Sequence, residues 1–270
     1  MTQPLRLVSW NIALRKAALN TLQDSDYDVA LLQEAPVPEG SWEGKHYSRC
    51  ARAIALSDRA EVMEFRRIPP GAKPEPNEIV VSAAGTISAA QIVPGKGTPF
   101  IAVSLYARWE KPHPRTPTNW SVGFADAMAH RAISDLSAFI GHVDPSRHRI
   151  LIAGDFNLIH GATDSNPLAL PARDRSVFLR LEALGFEFVG PQFPCGRQAD
   201  PPPAGMPADT ENVPTYYTTR QRPETAANQL DYVFASRRFH RRIRTRALNE
   251  PEEWGPSDHC QIAIDVEVAT

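Results

Sequence analysis

Short apolar runs separated by glycine and proline dominate this chain, and they limit its possible folds more than any other feature. Asp28–Gln33 and Arg149–Ala153 are nearly continuous apolar runs, as expected of strands that are buried on both faces. Strands alternating with few helices predict two packed β-sheets with helices outside them. Further strands are expected at Leu5–Trp10, Ile79–Val81, Thr86–Val93, Phe100–Tyr106, Thr215–Thr218, Leu230–Ala235, Ile243–Leu248 and Gln261–Val268.

Three segments have helical patterns. The clearest is Val122–Val143, in which apolar residues recur with a period near 3.6 and so predict one buried face. Shorter helices are expected at Leu14–Leu22 and at Asp174–Leu184, where Gly185 ends the second one.

Length and composition predict a folded chain with a sizeable core. The 270 residues are 42% hydrophobic and 22% charged, which suits one large domain or two small ones. Lys111–Asn119 and Pro191–Pro214, with seven prolines in the latter, are candidate linkers. Because polar candidate residues lie on both sides of each, we interpret them as surface loops and residues 1–270 as a single domain.

The net charge of −2 excludes a general nucleic-acid coat protein, although a basic groove or a bridging metal would still allow a phosphate polymer to bind. The three cysteines are far apart and lack CxxC spacing, which favours a reducing compartment. The N-terminus lacks a signal-peptide pattern, and no apolar run reaches the roughly 18 residues that span a bilayer. We therefore expect a cytoplasmic protein without membrane insertion. No protein partner can be deduced.

The strongest local signal is Gly154-Asp155-Phe156-Asn157, which directly follows the apolar run Arg149–Ala153. Because alternate side chains of an extended segment point the same way, Asp155 and Asn157 are expected to face one site. A carboxylate orients or deprotonates a water, an amide donates to a developing oxyanion, and phosphoryl transfer uses both. The alternative is an Asx-rich turn that only ends the strand.

Two other motifs combine an acid with a candidate partner. Asp231 is set into the apolar segment Leu230–Tyr232, and a buried carboxylate needs a partner, either a histidine or a backbone donor. Asp258 suits a hard cation, and the adjacent His259 can carry a proton or donate to a phosphate oxygen.

Two more motifs place polar residues where apolar strands end: Ser9-Trp10-Asn11 and Gln33-Glu34. Either could be a cap or a turn. Mg²⁺, however, typically binds one or two protein carboxylates and completes its shell with water and substrate phosphate. Glu34 and Asp258 satisfy that count.

Taken in chain order, these motifs resemble the endonuclease/exonuclease/phosphatase superfamily, which includes abasic-site endonucleases and deoxyribonuclease I. Each motif is short, but the ordered set is specific and spans residues 11 to 259. The resemblance implies an α/β fold, a four-layered sandwich of two packed mixed β-sheets flanked by helices, with the site at one rim. The matching motifs are Ser-Trp-Asn11, Gln-Glu34, Ser-Leu-Tyr106, Gly-Asp155-Phe-Asn157, Leu-Asp231-Tyr and Ser-Asp258-His259.

The resemblance also implies a metal site. Glu34, with Asn11 and Asp258 nearby, would hold Mg²⁺, for which Mn²⁺ could substitute. Nuclease members often carry an acid two residues after the motif asparagine, where this chain has Ala13. The resemblance therefore does not imply a second metal that depends on that acid.

The remaining motif residues receive catalytic roles from the same resemblance. Asp155 would align or deprotonate the attacking water, and Asn157 and Tyr106 would hold the phosphate. His259, paired with Asp231, would stabilise the transition-state charge or protonate the leaving oxygen.

An arginine-rich segment, Arg237–Arg246, has two interpretations. Its six arginines, beginning with Arg237 and Arg238, could bind substrate phosphates, or they could form a solvated edge strand that resists aggregation.

These observations leave three functional hypotheses. The first is a Mg²⁺-dependent phosphodiesterase or nuclease that hydrolyses DNA or RNA by in-line water attack. The second is a phosphatase or phosphodiesterase for a small molecule or lipid headgroup, which the near-neutral charge and Ala13 favour. The third, a catalytically silent binding module, would not need the full set of polar residues.

Overall fold

The computed structural model describes residues 3–111, 124–141, 144–165 and 170–268. One sheet has five strands: β1 (Leu5–Asn11), β2 (Val29–Pro36), β3 (Arg49–Ala55), β12 (Ile243–Leu248) and β13 (Gln261–Val266). Their order in space is β12-β13-β1-β2-β3, and β1 and β2 are parallel whereas the other pairs are antiparallel.

The second sheet has six strands: β4 (Ala60–Glu64), β7 (Ile87–Pro94), β8 (Phe100–Tyr106), β9 (Ile150–Asp155), β10 (Phe186–Gly190) and β11 (Asp231–Ser236). Their order is β10-β11-β9-β8-β7-β4, with β8 and β9 parallel. A small parallel pair is formed by β5 (Arg66–Ile68) and β6 (Glu78–Val80).

Helices cover the outer faces of both sheets. The helix α1 (Lys16–Gln23) packs Ala18 and Leu22 on the first sheet. The helices α2 (Asp126–Ile140) and α3 (Pro171–Ala183) pack on the second sheet. A third apolar cluster, between the two sheets, contains Leu7, Leu31, Leu151 and Val233 among others. The predicted four-layered α/β sandwich is confirmed.

Side-chain alternation along each strand determines which residues enter the layer between the sheets. In β1, Leu5 and Leu7 face this layer, whereas Val8 and Trp10 face α1. At one end of the sandwich the inward-facing positions change from apolar to polar. This end holds the buried side chains of Ser9, Asn11, Gln33, Ser104, Asp155 and Asp231.

Most predicted strands and helices occur, with shifted ends. The prediction at Thr215–Thr218 was wrong, because only isolated bridges form there, at Tyr216. The strands β3, β4, β5 and β10 were missed. In β3 (RCARAIA), charged and alanine residues have low strand propensity, so that its buried face carries little signal.

Part of two predictions lies outside the described residues. These are the ends of the predicted helix, Val122 and Val143, and the loop Lys111–Asn119 beyond Lys111 itself. Pro191–Pro214 contains neither helix nor strand, as expected of a loop. Among the described residues, every helix is too short or too polar to cross a membrane.

Candidate active site

Asp155, the last residue of β9, lies at the centre of the polar end and is 1% exposed. Its Oδ2 accepts hydrogen bonds from Asn11 Nδ2 at 2.8 Å and from Asn157 Nδ2 at 2.9 Å. Its Oδ1 accepts from the Asn157 backbone N–H at 2.9 Å. Asn157 has φ 49°, so a left-handed turn, and not the expected extended alternation, brings its amide back to the carboxylate.

Gly154 allows β9 to approach β8 closely beside this carboxylate. A Cβ atom at Gly154 would lie 1.9 Å from the carbonyl oxygen of Leu105, its partner in β8. Only a residue without a side chain fits this approach.

Glu34 reaches the site because β2 is irregular. Strict alternation would turn its side chain outward with Leu32, but the register between β2 and β3 shifts between Leu32 and Ala35, and Glu34 has φ 48°. Its Oε1 accepts from Tyr106 Oη at 2.9 Å and from Asn11 Nδ2 at 3.3 Å. Its Oε2 forms an ion pair with Arg49.

His259 and Asp231 form a buried pair next to Asp155. His259 Nδ1 lies 2.8 Å from Asp231 Oδ2, and His259 Nε2 lies 3.9 Å from Asp155 Oδ2. The Thr215 hydroxyl donates to Asp231 Oδ2 at 2.6 Å. It also accepts from the backbone N–H groups of Leu230 at 2.9 Å and Asp231 at 3.1 Å, so that Thr215 fixes the carboxylate.

Two hydrogen bonds attach the loop that carries His259 to the end of β1. Trp10 Nε1 donates to the His259 carbonyl at 2.8 Å, and Ser257 Oγ donates to the Asn11 carbonyl at 2.6 Å. Asp258 is half-buried beside them, with Oδ1 3.4 Å from Ser257 Oγ. The first and last motifs of the sequence are thereby joined.

The buried carboxylates and His259 perturb one another's proton affinity. Burial disfavours the imidazolium of His259, but the Asp231 and Asp155 carboxylates outweigh it and raise its pKa to about 10. Burial also raises the pKa of Asp155. Burial, together with the Glu34 carboxylate, raises the pKa of Tyr106, which keeps that phenol a hydrogen-bond donor.

Two groups of residues have metal-ligand chemistry. Asp155, Asp231 and His259 offer donor atoms within 4.8 Å of one another. However, His259 Nδ1 is engaged by Asp231, and the raised pKa keeps the ring protonated near neutrality, which disfavours ligation. Glu34 and Asp258 instead offer hard oxygen donors that fit Mg²⁺, whose shell is largely completed by water and substrate.

Asn11 contributes less directly to such a site. Its Oδ1 already accepts the Ala13 N–H at 3.0 Å, and its Nδ2 faces Glu34 and Asp155. A metal would therefore use the second lone pair of that carbonyl oxygen.

The structure does not bring Arg237 and Arg238 to this site. They follow β11 at the end opposite Asp231, about 20 Å along the strand at roughly 3.3 Å per residue. There they line a separate cavity of about 660 Å³ together with Arg147, Arg149 and Arg242. Strand direction explains the difference, because only the start of β11 faces the polar end.

Sequence reasoning missed the roles of three residues that organise the site, namely Thr215, Ser257 and Arg49. Thr215 stands in the TYYT segment, which was interpreted only as a strand. Ser257 adjoins Asp258, but its bond to Asn11 crosses 246 positions of sequence. Arg49 begins the missed strand β3 and carried no local signal.

Comparison with known proteins agrees with this geometry. Residues 8–259 match the Endonuclease/Exonuclease/phosphatase family. The chain belongs to this family, whose members are metal-dependent phosphoric ester hydrolases. No curated relative matches the sequence significantly.

Solved structures share the fold at low sequence identity. The endonuclease domain of TRAS1, a telomere-specific non-LTR retrotransposon, is 16% identical with a TM-score of 0.59, over 99% of this chain and 100% of that one. The AP endonuclease LMAP from Leishmania major is 15% identical with a TM-score of 0.62, over 98% and 88%. The 3'-5' exonuclease NExo from Neisseria meningitidis is 15% identical with a TM-score of 0.59, over 97% and 99%.

Proposed function

We propose that this chain is a Mg²⁺-dependent phosphodiesterase that hydrolyses phosphodiester bonds in DNA or RNA. The observation that carries the proposal is the meeting, around Asp155, of two amides, a His259–Asp231 pair and the Glu34 carboxylate. The similar structures include proteins named as endonucleases and an exonuclease, which supports a nucleic-acid substrate. Residues from 11 to 259 contribute, which supports one domain over 1–270.

In this proposal Glu34 holds the metal, with Asp258 and Asn11 completing the protein's share of the shell. The bound ion would polarise a phosphoryl oxygen and neutralise charge that develops on it. Tyr106 donates to Glu34 Oε1 and Arg49 pairs with Oε2, so that both oxygens are held in fixed directions.

Asp155 aligns the attacking water and accepts its proton. Its two oxygens are fixed by Asn11 and Asn157, so the lone pairs point in defined directions. Burial raises the pKa of Asp155 towards neutrality, which strengthens it as a base compared with a solvated carboxylate.

His259 and Asn157 bind the phosphate that is attacked. The Asp231 carboxylate holds the His259 ring through Nδ1 and keeps it charged, so that Nε2–H donates to a phosphoryl oxygen or to the leaving oxygen. Asn157 Nδ2 supplies a neutral donor. The Tyr106 phenol stays protonated, but its one hydrogen is donated to Glu34 Oε1 at 2.9 Å, so that Tyr106 acts here by holding Glu34.

A substrate panel with Mg²⁺, with Mn²⁺ and with EDTA tests the proposal. It contains supercoiled plasmid, single-stranded DNA, abasic duplex, RNA, inositol phosphates and a chromogenic phosphodiester. Asp155→Asn should abolish cleavage, whereas Asp265→Asn, which alters an exposed acid on β13, should leave it unchanged. If wild-type protein left every nucleic acid intact, the proposal would be wrong. Turnover of only the small esters would identify the second hypothesis instead.

A further inference from the structure

One exposed aromatic side chain is bonded to the site. Trp109 lies three residues beyond the end of β8 and is 50% exposed. Its Nε1–H donates to Asn157 Oδ1 at 3.0 Å. The opposite end of that amide, Nδ2, donates to Asp155 Oδ2 at 2.9 Å. Both ends of the Asn157 amide are therefore fixed, one by the indole and one by the carboxylate.

The backbone around Trp109 is held on both sides. The Ala107 N–H donates to the Asp155 carbonyl at 2.8 Å, and Glu110 pairs with Phe124 through two backbone hydrogen bonds of 2.9 Å. The guanidinium of Arg108 lies 4.3 Å from the Tyr47 ring centroid and donates to the Ala84 carbonyl at 2.6 Å. The indole is thus both exposed and rigidly placed.

We propose that Trp109 is a specificity-determining residue that stacks on a nucleobase next to the scissile phosphate. An indole that is held through its edge can present a ring face to a planar group, and Trp109 is half exposed. Base–aromatic stacking tolerates any base sequence, because every base has a π-face. The site would therefore prefer esters that carry a base beside the phosphate over sugar phosphates and lipid headgroups. This inference rests on the proposed function and specifies its substrate class.

The indole N–H also acts on Asn157. Because Trp donates and never accepts, it requires the carbonyl oxygen of the amide to face it and leaves Nδ2 directed at Asp155 and the phosphate. Trp109 thus has two separable effects, stacking through the ring and positioning through N–H.

Two variants separate these effects. Trp109→Ala should raise KM for a single-stranded oligonucleotide roughly tenfold, the scale of one base stack. It should leave KM within about twofold for the same backbone made of abasic tetrahydrofuran units. Trp109→Phe keeps an aromatic ring and should retain the KM for the base-bearing oligonucleotide. It loses the N–H and should therefore lower kcat by about three- to tenfold on both oligonucleotides. Leu179→Ala, an exposed apolar residue on α3, is the control and should change neither parameter.

If Trp109→Ala raised KM equally for the base-bearing and the abasic oligonucleotide, or for neither, the stacking assignment would be overturned. Binding is measured separately in EDTA as quenching of tryptophan fluorescence. Quenching by the base-bearing strand that is lost in Trp109→Phe supports the ring contact, even if the protein cleaves no polymer and the proposed function fails. Equal quenching by the two strands contradicts the inference while leaving the proposed function intact.

Discussion

The Thr215 hydroxyl is predicted to support both stability and catalysis, and Thr215→Val tests this with almost no change in shape. The substitution removes a donor to the buried Asp231 carboxylate, a bond worth about 1.5–3 kcal/mol when the acceptor is charged. It also removes the acceptor for the N–H groups of Leu230 and Asp231. We expect a loss of about 3 kcal/mol. In a chain of this size that lowers Tm by roughly 6–12 °C.

Catalysis should fall because Asp231 Oδ2 receives both the Thr215 hydroxyl and His259 Nδ1. A carboxylate that is free to turn holds the imidazolium less firmly. We expect kcat to fall about tenfold, equivalent to about 1.4 kcal/mol. The alkaline limb of the pH–rate profile should move to lower pH, because the pKa of His259 depends on Asp231.

The pH dependence of stability provides an independent measurement. Because the pKa of His259 is raised in the folded state from 6.5 to about 10, the stabilisation of its imidazolium is complete below pH 6.5. It is lost as the pH rises through about 10. The difference in unfolding free energy between wild type and Thr215→Val should therefore become smaller above a pH of about 10.

The matched control is Thr215→Ser, which keeps the hydroxyl and loses one methyl group, at a cost of about 1 kcal/mol. Its kcat and alkaline limb should match the wild type. Thermal unfolding and pH–rate profiles of the three proteins test this prediction. If the valine and serine variants gave the same Tm and the same alkaline limb, the hydroxyl would not orient Asp231, and the reasoning would be refuted.

Three further predictions concern other parts of the site and the packing behind it. Gly154→Ala should lose at least about 2 kcal/mol in urea unfolding, because its Cβ would meet the Leu105 carbonyl at 1.9 Å; a neutral result would disprove that close approach. Burial raises the pKa of Asp174 from 3.8 to about 6, so the stability of the folded protein falls as pH rises through that range. Asp174→Asn should therefore be more stable than wild type at pH 8 but not at pH 4. An equal gain at both pH values would contradict the raised pKa of Asp174. Arg49→Gln removes the guanidinium that competes with a metal for the Glu34 carboxylate. It should lower the Mg²⁺ concentration for half-maximal activity by roughly two- to fivefold, which corresponds to the free energy of a partly exposed ion pair. An unchanged Mg²⁺ requirement would argue against Glu34 as the ligand.

The sequence predicted the layers of this fold because its buried strands are apolar and its longest helix is strongly periodic. The residues alone left a histidine or a backbone donor open as the partner of Asp231, and only the resemblance to the family implied the pairing with His259 that the structure has. The sequence could not predict β3, whose charged and small residues hide a buried face. The sequence could have separated Arg237 from the site, because Asp231 begins the predicted strand Leu230–Ala235 whereas Arg237 lies beyond its other end, about 20 Å away at roughly 3.3 Å per residue.

The sequence also could not predict the backbone conformation of several residues at the polar rim. Among the described residues, non-glycine residues with positive φ include Ala13, Leu14, Glu34 and Asn157, at 48°, 57°, 48° and 49°. Ala13, Leu14 and Asn157 follow strands that end at the polar rim, and Glu34 lies within β2 near its end at that rim. No local pattern marks them, because β-strand propensity describes the strand and not the turn that leaves it.

The backbone N–H groups of two of these positive-φ residues, Ala13 and Leu14, donate hydrogen bonds to neighbouring residues of the rim. The Ala13 N–H donates to Asn11 Oδ1 at 3.0 Å, and the Leu14 N–H donates to the Glu34 carbonyl at 3.0 Å. The first bond occupies the carbonyl side of the Asn11 amide, so that its Nδ2 must face Asp155 and Glu34. Left-handed residues cost roughly 1–3 kcal/mol each and persist where the surrounding structure over-determines them. At Ala13 the backbone N–H therefore orients Asn11, at the position where nuclease members of the family often carry an acid.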